Sequence, residues 1–195
     1  MTAQPLSYTA VLVCHPDTRI QAVGGITVQV RWLSRGALTL TYSLTGDCLR
    51  LRIPPSQPAA RVDGLWQHTC FEVFLAVLGS QAYQEWNFSP SGEWATYNFR
   101  GYRDRLPEVE EASVPEIRVH QIGQRFELDT YVRLSQQLST QPLRLALSAV
   151  IEDDAGMLSY WALKHPSGKP DFHHPEAFAL EIAPLRGTVT RREDQ

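Results

Sequence analysis

The chain has 195 residues, of which 43% are hydrophobic and 20% charged, and its formal net charge is −3. This composition is that of an ordinary globular protein with enough residues for one full core. It lacks the basic excess of a general nucleic-acid binder, and no apolar run approaches the roughly 18 residues of a membrane-spanning helix. The N-terminal stretch lacks the basic region of a secretory signal, so the sequence predicts a cytoplasmic protein.

Three cysteines, Cys14, Cys48 and Cys70, are spread along the chain. Their odd number and the absence of a CxxC spacing argue against a disulfide framework and against a structural zinc site. We expect reduced and mostly buried thiols, as is usual for free cysteines.

Alternation of apolar and polar residues dominates the chain and predicts half-buried β-strands, because successive side chains of a strand point to opposite faces. Together with the apolar run at 69–78 and the two aromatic-rich segments at 83–89 and 93–99, the predicted strands cover residues 26–32, 38–44, 49–53, 116–122, 125–134, 143–151, 158–163 and 177–182. A turn at 90–92 predicts a hairpin, and residues 134–138 could form one helical turn. The pattern predicts an all-β, antiparallel sandwich of ten to twelve strands over residues 1–185, followed by a flexible tail at 186–195.

One predicted strand is unusual. Residues 69–78 (TCFEVFLAVL) are apolar on both faces except for Glu72, which is typical of a central strand covered on both sides. A carboxylate there is costly unless it is hydrogen-bonded or paired with a charge. Trp66 precedes the strand, and an indole beside a carboxylate is a common means of holding a sugar. The alternative is structural: Trp66 closes the edge of the core, and Glu72 pairs with an arginine.

A second polar group follows on the next predicted strand, where Glu85, Asn87 and Ser89 point to one side. If the two strands are neighbours, Glu72 and Asn87 share a sheet face. Neutral polar groups beside a carboxylate suit a ligand with many hydroxyls, and an internal hydrogen-bond network is the alternative. Tyr97, on the following strand, is expected to pack within the hairpin.

A loop at 165–175 collects aromatic and titratable residues, among them His165, Phe172 and His173. Functional side chains favour loops on a rigid scaffold, so these residues are candidates for the rim of a ligand site. The alternative is a proline-rigidified loop with solvated histidines. His173 and His174 are adjacent and diverge on an extended chain, which disfavours joint metal binding.

Motifs of the common enzyme classes are absent from the sequence, including the GxSxG elbow, HExxH and glycine-rich phosphate loops. Glu72 and Glu85 could form a glycosidase pair only at a suitable separation, which the sequence does not define. We therefore expect a protein that is not an enzyme.

Several short motifs follow one another in a particular order: Trp66 before FEVFL at 71–75, NFSPSG at 87–92, a late Trp161, and FAL at 178–180. This order resembles the DOMON-like superfamily, and within it the bacterial DOMON-like proteins related to family 9 carbohydrate-binding modules. The resemblance covers about residues 10–182. It implies an immunoglobulin-like β-sandwich that binds ligands without catalysing a reaction.

In the carbohydrate-binding branch, the resemblance implies that Trp66 stacks on a sugar and that Glu72, Asn87 and Ser89 bond its hydroxyls. Our leading prediction is a non-catalytic module, without a cofactor, for a carbohydrate or another polyhydroxylated small molecule. The predicted ligand-binding residues are Trp66, Glu72, Asn87, Ser89, His165, Phe172 and His173.

Two alternatives remain open at this point. The first is a haem-binding module of the DOMON type, with an axial ligand among His68, His165, His173 and His174. The second is a protein-interaction domain that serves a neighbouring enzyme. Some relatives also hold structural calcium, for which the acidic turn at 152–154 could supply oxygens, although such turns are usually only solvated. Neither a nucleic-acid nor a membrane partner is expected.

Overall fold

The computed structural model describes residues 6–18, 21–33, 36–107 and 113–184. The strands in these ranges are β1 (Leu6–Cys14), β2 (Val23–Leu33), β3 (Ala37–Gly46), β4 (Cys70–Val77), β5 (Tyr83–Phe88), β6 (Trp94–Phe99), β7 (Glu116–Ile122), β8 (Arg125–Arg133), β9 (Leu143–Glu152), β10 (Leu158–Ala162) and β11 (Leu180–Ile182). One short α-helix, α1, spans Gln136–Thr140. Single 3₁₀ turns span Pro16–Thr18, Cys48–Arg50, Leu65–Gln67 and Pro175–Ala177.

The strands form two sheets that are joined through β1. The first sheet has the order β7-β8-β3-β2-β1, and the second has the order β6-β5-β4-β9-β10, with β11 also beside β9. β1 pairs with β2 along Leu6–Leu12 and with β10 at Val13 and Cys14, so the ladder curls from one sheet into the other. All pairings between these strands are antiparallel. The predicted all-β, antiparallel fold of ten to twelve strands is confirmed.

The main core lies between the two sheets and is filled by the alternate residues that the pattern placed inward. Val28 and Leu40 of the first sheet are completely buried, as is Phe71 of the second. The Phe71 ring stacks on that of Phe126 across the core, with 5.9 Å between centroids. Burial of this kind contributes about 25 cal/mol for each Å² of apolar surface removed from water, which makes it the main stabilising term.

The outer face of the second sheet is also largely covered. Phe74, Tyr83, Phe99 and Phe178 belong to a second apolar cluster on this face. Phe178 comes from the long segment between β10 and β11, which folds back over the sheet. β4 is therefore buried on both faces from Cys70 to Ala76, as predicted for residues 69–78. This double covering places Glu72 in surroundings that exclude most water.

Two predicted strands differ from those observed. Residues 49–53 form no strand: Cys48–Arg50 is a 3₁₀ turn, and Leu51 makes only an isolated bridge to Asp153. Leu49 is 85% exposed, so its place in the alternation does not reflect a buried face. The predicted strand at 177–182 shortens to Leu180–Ile182, because the 3₁₀ turn that begins at Pro175 occupies its first residue.

Other elements complete the comparison. The sequence pattern did not predict β1. Its outward residues Val11 and Val13 are apolar although they are exposed, so apolar and polar residues do not alternate there. The helical turn predicted at 134–138 begins two residues later, after the cap Ser135, whose side chain accepts the N–H of Leu138.

All three cysteines are free thiols, as expected, and two of them are buried. In the described part of the chain, no helix is long and apolar enough to cross a membrane. Residues 185–195, with the predicted domain end and tail, lie outside the described residues.

Candidate functional site

An open cavity of about 430 Å³ lies on the outer face of the second sheet. Strands of that sheet form its floor, and the loops after β6 and β10 form its rim. Its lining residues are Trp66, Glu72, Glu85, Tyr97, Phe99, Arg103, Arg105, Val150, Tyr160, Pro170, Phe172 and His173.

The floor carries two carboxyl groups, those of Glu72 and Glu85, which are only 2% and 5% exposed. Glu72 lies in the middle of β4, directly opposite Asn87 of β5 and Ser148 of β9. The Ser148 hydroxyl donates to Glu72 Oε2 at 3.1 Å, and the Asn87 amide donates to Glu85 Oε1 at 2.7 Å. We call Glu72 and Glu85 the floor pair.

Burial raises the pKa of both members of the floor pair. For Glu72 the loss of solvent is the main cause, and the negative charge of Glu85 adds to it. For Glu85 burial raises the pKa from 4.5 to about 7, against the hydrogen bond from Asn87 and the charges of Arg105 and Arg103. Two neighbouring acids in dry surroundings do not both ionise readily, so the pair retains a proton near neutral pH.

Aromatic rings form the walls. Tyr97 and Phe99 of β6 line one side of the cavity, and Tyr160 of β10 with Phe172 of the following loop lines the other. Trp66 lies at the rim in the 3₁₀ turn before β4, with its ring edge against Tyr97 at 6.0 Å between centroids. This indole is 41% exposed, so a ligand can reach it. An accessible indole beside a hollow provides a platform for the apolar face of a ligand.

His173 enters the cavity from the late loop as a neutral imidazole, because burial and then the charge of Arg103 lower its pKa to about 4. Its Nδ1 lies 2.9 Å from the Tyr83 hydroxyl, and its Nε2 lies 3.8 Å from Glu85 Oε2. The Tyr83 hydroxyl accepts the backbone N–H of Arg103 at 3.2 Å, which leaves its own proton for Nδ1. The ring proton of His173 is therefore assigned to Nε2, facing the floor pair.

Asp171 joins the two loops of the rim. It accepts hydrogen bonds from the Tyr102 hydroxyl at 2.6 Å, from the Arg103 guanidinium at 2.8 Å and from the backbone N–H of His173 at 3.2 Å. Burial raises the pKa of Asp171, but these donors outweigh burial and lower it below its ordinary value. Arg103 itself has a positive φ of 55°, which is uncommon for a residue other than glycine.

Arg105 is held at the opposite wall. Its guanidinium lies over the Tyr97 ring, 4.1 Å from the centroid, and 3.9 Å from an oxygen of Asp63. The Tyr97 hydroxyl donates to the same Asp63 oxygen at 2.7 Å. These contacts fix the Tyr97 ring as a wall of the cavity.

The structure brings four of the seven predicted site residues to the cavity lining: Trp66, Glu72, Phe172 and His173. The other three are not lining residues. Asn87 is fully buried, and its amide donates to Glu85 from beneath the cavity. Ser89 is also buried, and its hydroxyl accepts that of Ser91 in the β5–β6 turn. His165 has Nε2 2.8 Å from the carbonyl of Val13, away from the floor pair.

Several lining residues were missed by sequence reasoning. Tyr97 was assigned to hairpin packing, yet it lines the cavity. The hairpin turn at 90–92 already implied the register in which Glu85 lies opposite Tyr97, so this neighbour could have been found. Arg103 and Arg105 lie in an irregular loop, where no periodicity indicates which way a side chain points.

The acidic turn after β9 is less solvated than expected, because its first two carboxylates are 5% and 6% exposed. Glu152 is bonded to Arg52 at 2.6 Å and to His68 at 2.7 Å. Asp153 accepts the backbone N–H groups of Ala155 and Met157. Since Glu152 and Oδ1 of Asp153 are used internally and Asp154 is paired with Arg50, the turn does not fit a calcium site. Among the described residues, no group of three or more His, Cys, Asp or Glu side chains is arranged to hold a metal ion.

The histidines that were considered as haem ligands are engaged with protein groups. His68 is bonded to Glu152, His165 to Val13, and His174 accepts the N–H of Glu176. His173 lines the cavity, but its two nitrogens face Tyr83 and Glu85, so an axial position would require this network to open. These contacts use one ring nitrogen each of His68, His165 and His174, and the haem alternative stays a prediction.

Comparison with known proteins identifies relatives by structure alone. No family model and no curated protein matches the sequence. A proposed carbohydrate-binding protein from Bacteroides uniformis has a TM-score of 0.61 at 14% identity, over 88% of this chain and 83% of its own. A family 9 carbohydrate-binding module from Caldicellulosiruptor kristjanssonii, in complex with glucose, has a TM-score of 0.50 at 9% identity, over 86% of this chain and 81% of its own.

At these identities the likeness shows the fold, a β-sandwich similar to that of family 9 carbohydrate-binding modules. These structural neighbours do not show that the chain belongs to the DOMON-like superfamily or that its strands have an immunoglobulin-like arrangement. Those two finer expectations stay predictions.

Proposed function

We propose that the protein is a non-catalytic carbohydrate-binding module whose ligand occupies the cavity above the floor pair. One observation carries this proposal: two nearly buried carboxyl groups form the floor of an open, aromatic-walled cavity with an accessible indole at its rim. The cavity volume of about 430 Å³ falls in the range of small-molecule sites.

The parts of the cavity match the two faces of a sugar. The ring of a sugar has an apolar C–H face, which the exposed indole of Trp66 can cover. Its hydroxyls both donate and accept hydrogen bonds. A floor pair that retains one proton can do both as well, since an ionised carboxylate accepts and a protonated carboxyl also donates.

The remaining predicted residues have unequal parts in this proposal. Phe172 and His173 close the wall, and Asn87 holds Glu85 in place from below. Ser89 and His165 are given no ligand contact in this proposal, because neither is among the residues that line the cavity.

The structural neighbours support a binding role. One is a proposed carbohydrate-binding protein, and the other is a carbohydrate-binding module in complex with glucose. One stacking platform and a few hydrogen bonds predict a Kd between about micromolar and millimolar, because association and ordering costs offset most of the gross interaction energy.

Ligand-observed NMR with a panel of mono- and disaccharides tests the proposal. We expect the wild type to bind at least one sugar, and Trp66→Ala to weaken that binding by roughly tenfold or more. Tyr131→Ala is the matched control, since Tyr131 lies on β8 in the other sheet. If no sugar binds, or if Trp66→Ala binds as the wild type does, the proposal is wrong.

Other expectations are independent of this experiment. A protein partner and a cytoplasmic location stay predictions that the cavity does not address.

A further inference from the structure

The floor of the cavity carries two acids whose hydrogen-bond donors are neutral. Ser148 donates to Glu72 through a hydroxyl, and Asn87 donates to Glu85 through an amide. Among the described residues, the one basic side chain within 4.0 Å of either carboxyl is His173, at 3.8 Å from Glu85. His173 is a neutral imidazole near neutral pH, so it supplies no positive charge.

The two arginines of the lining lie beside other acids. Arg103 forms an ion pair with Asp171 at 2.8 Å. Arg105 lies 3.9 Å from Asp63 and rests on the Tyr97 ring. Their charges lower the pKa of Glu85 from a distance, but burial outweighs this effect. Within the described ranges, the contacts of the floor pair at 4.0 Å or less therefore include no arginine or lysine.

From this imbalance we propose that the cavity selects a carbohydrate that bears a protonated amine, an amino sugar, over the corresponding neutral sugar. This inference rests on the proposed function and specifies its ligand class. The ammonium group would donate N–H bonds to Glu72 and Glu85 together, and such charge-assisted bonds are roughly twice as strong as neutral ones. The aromatic faces of Tyr97 and Phe172 add a favourable surface for a cation.

Proton release accompanies this binding. An ammonium group favours the ionised form of both carboxyls, so the proton retained by the floor pair passes to the solvent when the amine binds. Amine affinity is therefore expected to rise between about pH 5.5 and pH 7, as the pH approaches the raised pKa of Glu85. A neutral sugar imposes no such requirement, and its affinity should change less.

The neighbouring groups with shifted pKa values do not titrate in this range. Burial, with smaller contributions from nearby groups, raises the pKa of Tyr83 to about 12 and raises those of Tyr97 and Cys70 well above neutrality, whereas His173 titrates near 4. Arginine keeps its charge throughout. The charged and titratable residues around the pair are Cys70, Tyr83, Tyr97, Arg103, Arg105, Tyr160, Asp171 and His173.

Titration calorimetry on the full chain tests this inference with four matched probes: glucosamine, glucose, N-acetylglucosamine and glucuronate. We expect glucosamine to bind roughly tenfold more tightly than glucose at pH 7, with a smaller advantage at pH 5.5. N-acetylation removes the charge and should abolish the advantage. Glucuronate, which carries a negative charge, should bind most weakly.

Three variants complete the experiment. Glu72→Gln and Glu85→Gln should each bring the ratio of glucosamine affinity to glucose affinity close to one. Two variants are used so that the test still works if one of them does not fold. Glu116→Gln on β7 is the control, because Glu116 is exposed and paired with Arg118 in the other sheet. It should keep the wild-type ratio.

The outcomes separate the two proposals. If glucose binds in a Trp66-dependent manner but the amine has no advantage, or glucuronate is preferred, the amino-sugar inference is overturned and the sugar-binding function stands. If none of the four probes binds, the amino-sugar inference is overturned, and the sugar-binding function is overturned with it when no sugar of the wider panel binds.

Discussion

The hydroxyl of Tyr42 on β3 donates to the backbone carbonyl of Glu72 on β4, at 2.7 Å across the interior of the sandwich. Tyr42 is completely buried, and its ring packs against Phe71 with 5.1 Å between centroids. Burial and then the nearby charge of Glu72 raise the pKa of this phenol well above its usual range, so it remains a donor. The main core thus holds the backbone of the residue whose side chain enters the cavity on the opposite face.

Tyr42→Phe tests this link between the core and the site. The variant keeps the ring but removes the donor, so we expect the free energy of unfolding to fall by about 1–2 kcal/mol. Urea denaturation measures the change. Tyr131→Phe, on the outer face of the first sheet, should stay within about 0.5 kcal/mol of the wild type. A Tyr42→Phe protein as stable as the wild type would contradict the role assigned to this hydrogen bond.

The floor pair makes stability depend on pH. Because the pKa of Glu85 is raised from 4.5 to about 7 in the folded state, the folded protein holds a proton that the unfolded chain has already released between these values. The contribution of Glu85 to the free energy of unfolding is therefore expected to be complete below about pH 4.5 and to be lost as the pH rises towards 7. The largest loss of unfolding free energy expected from Glu85 is about 3 kcal/mol, because each pKa unit corresponds to 1.36 kcal/mol.

Glu85→Gln removes this contribution while keeping an oxygen for the Asn87 amide. We expect the variant to gain stability relative to the wild type, and the gain to be larger at pH 8 than at pH 5. Urea denaturation at both pH values measures it, with Glu116→Gln as a control whose effect should not follow this trend. Equal gains at the two pH values would show that Glu85 is not a raised-pKa group.

Truncation of Trp66 and of Trp86 is expected to lower the stability of the protein to very different extents. Trp86 is 2% exposed and stacks on Trp94 in the core, so Trp86→Ala should cost about 3–5 kcal/mol of stability. Trp66 is 41% exposed, so Trp66→Ala should cost about 1 kcal/mol or less. Thermal unfolding of both variants measures the contrast. A cost for Trp66→Ala that equals that of Trp86→Ala would favour the structural interpretation, in which the indole closes the core.

The rim loops are expected to depend on Asp171. Asp171→Asn removes the charge that holds Tyr102, Arg103 and the backbone of His173, so the two loops should open more often. We expect hydrogen exchange of the Arg103 and His173 amides to accelerate by roughly tenfold, because local opening governs exchange at loop positions. Amides within β4 serve as the internal reference and should not change. Unaltered exchange in both loops would mean that other contacts hold the rim.

Much of the scaffold could be predicted because strand periodicity is a local property. Alternation places Phe71 and Glu72 on opposite faces of one strand without knowledge of any partner strand, and the structure shows Phe71 in the main core and Glu72 in the cavity on the other face. The same rule failed at residues 49–53, where a five-residue alternation has no pairing strand on either side and Leu49 is exposed. A strand needs neighbours to satisfy its backbone, and a short pattern does not report whether they are present.

From its own residues the sequence determined an antiparallel β-sandwich, a doubly covered central strand and an acid at its middle, since each depends on side-chain order along one strand. Only the tertiary structure decided that Glu85 joins Glu72 as a pair, and that Arg103 and His173 arrive beside it. Those residues belong to other strands and loops, and irregular segments carry no period from which a direction can be read. Long-range packing of the two loops, rather than any local pattern, therefore defines the cavity.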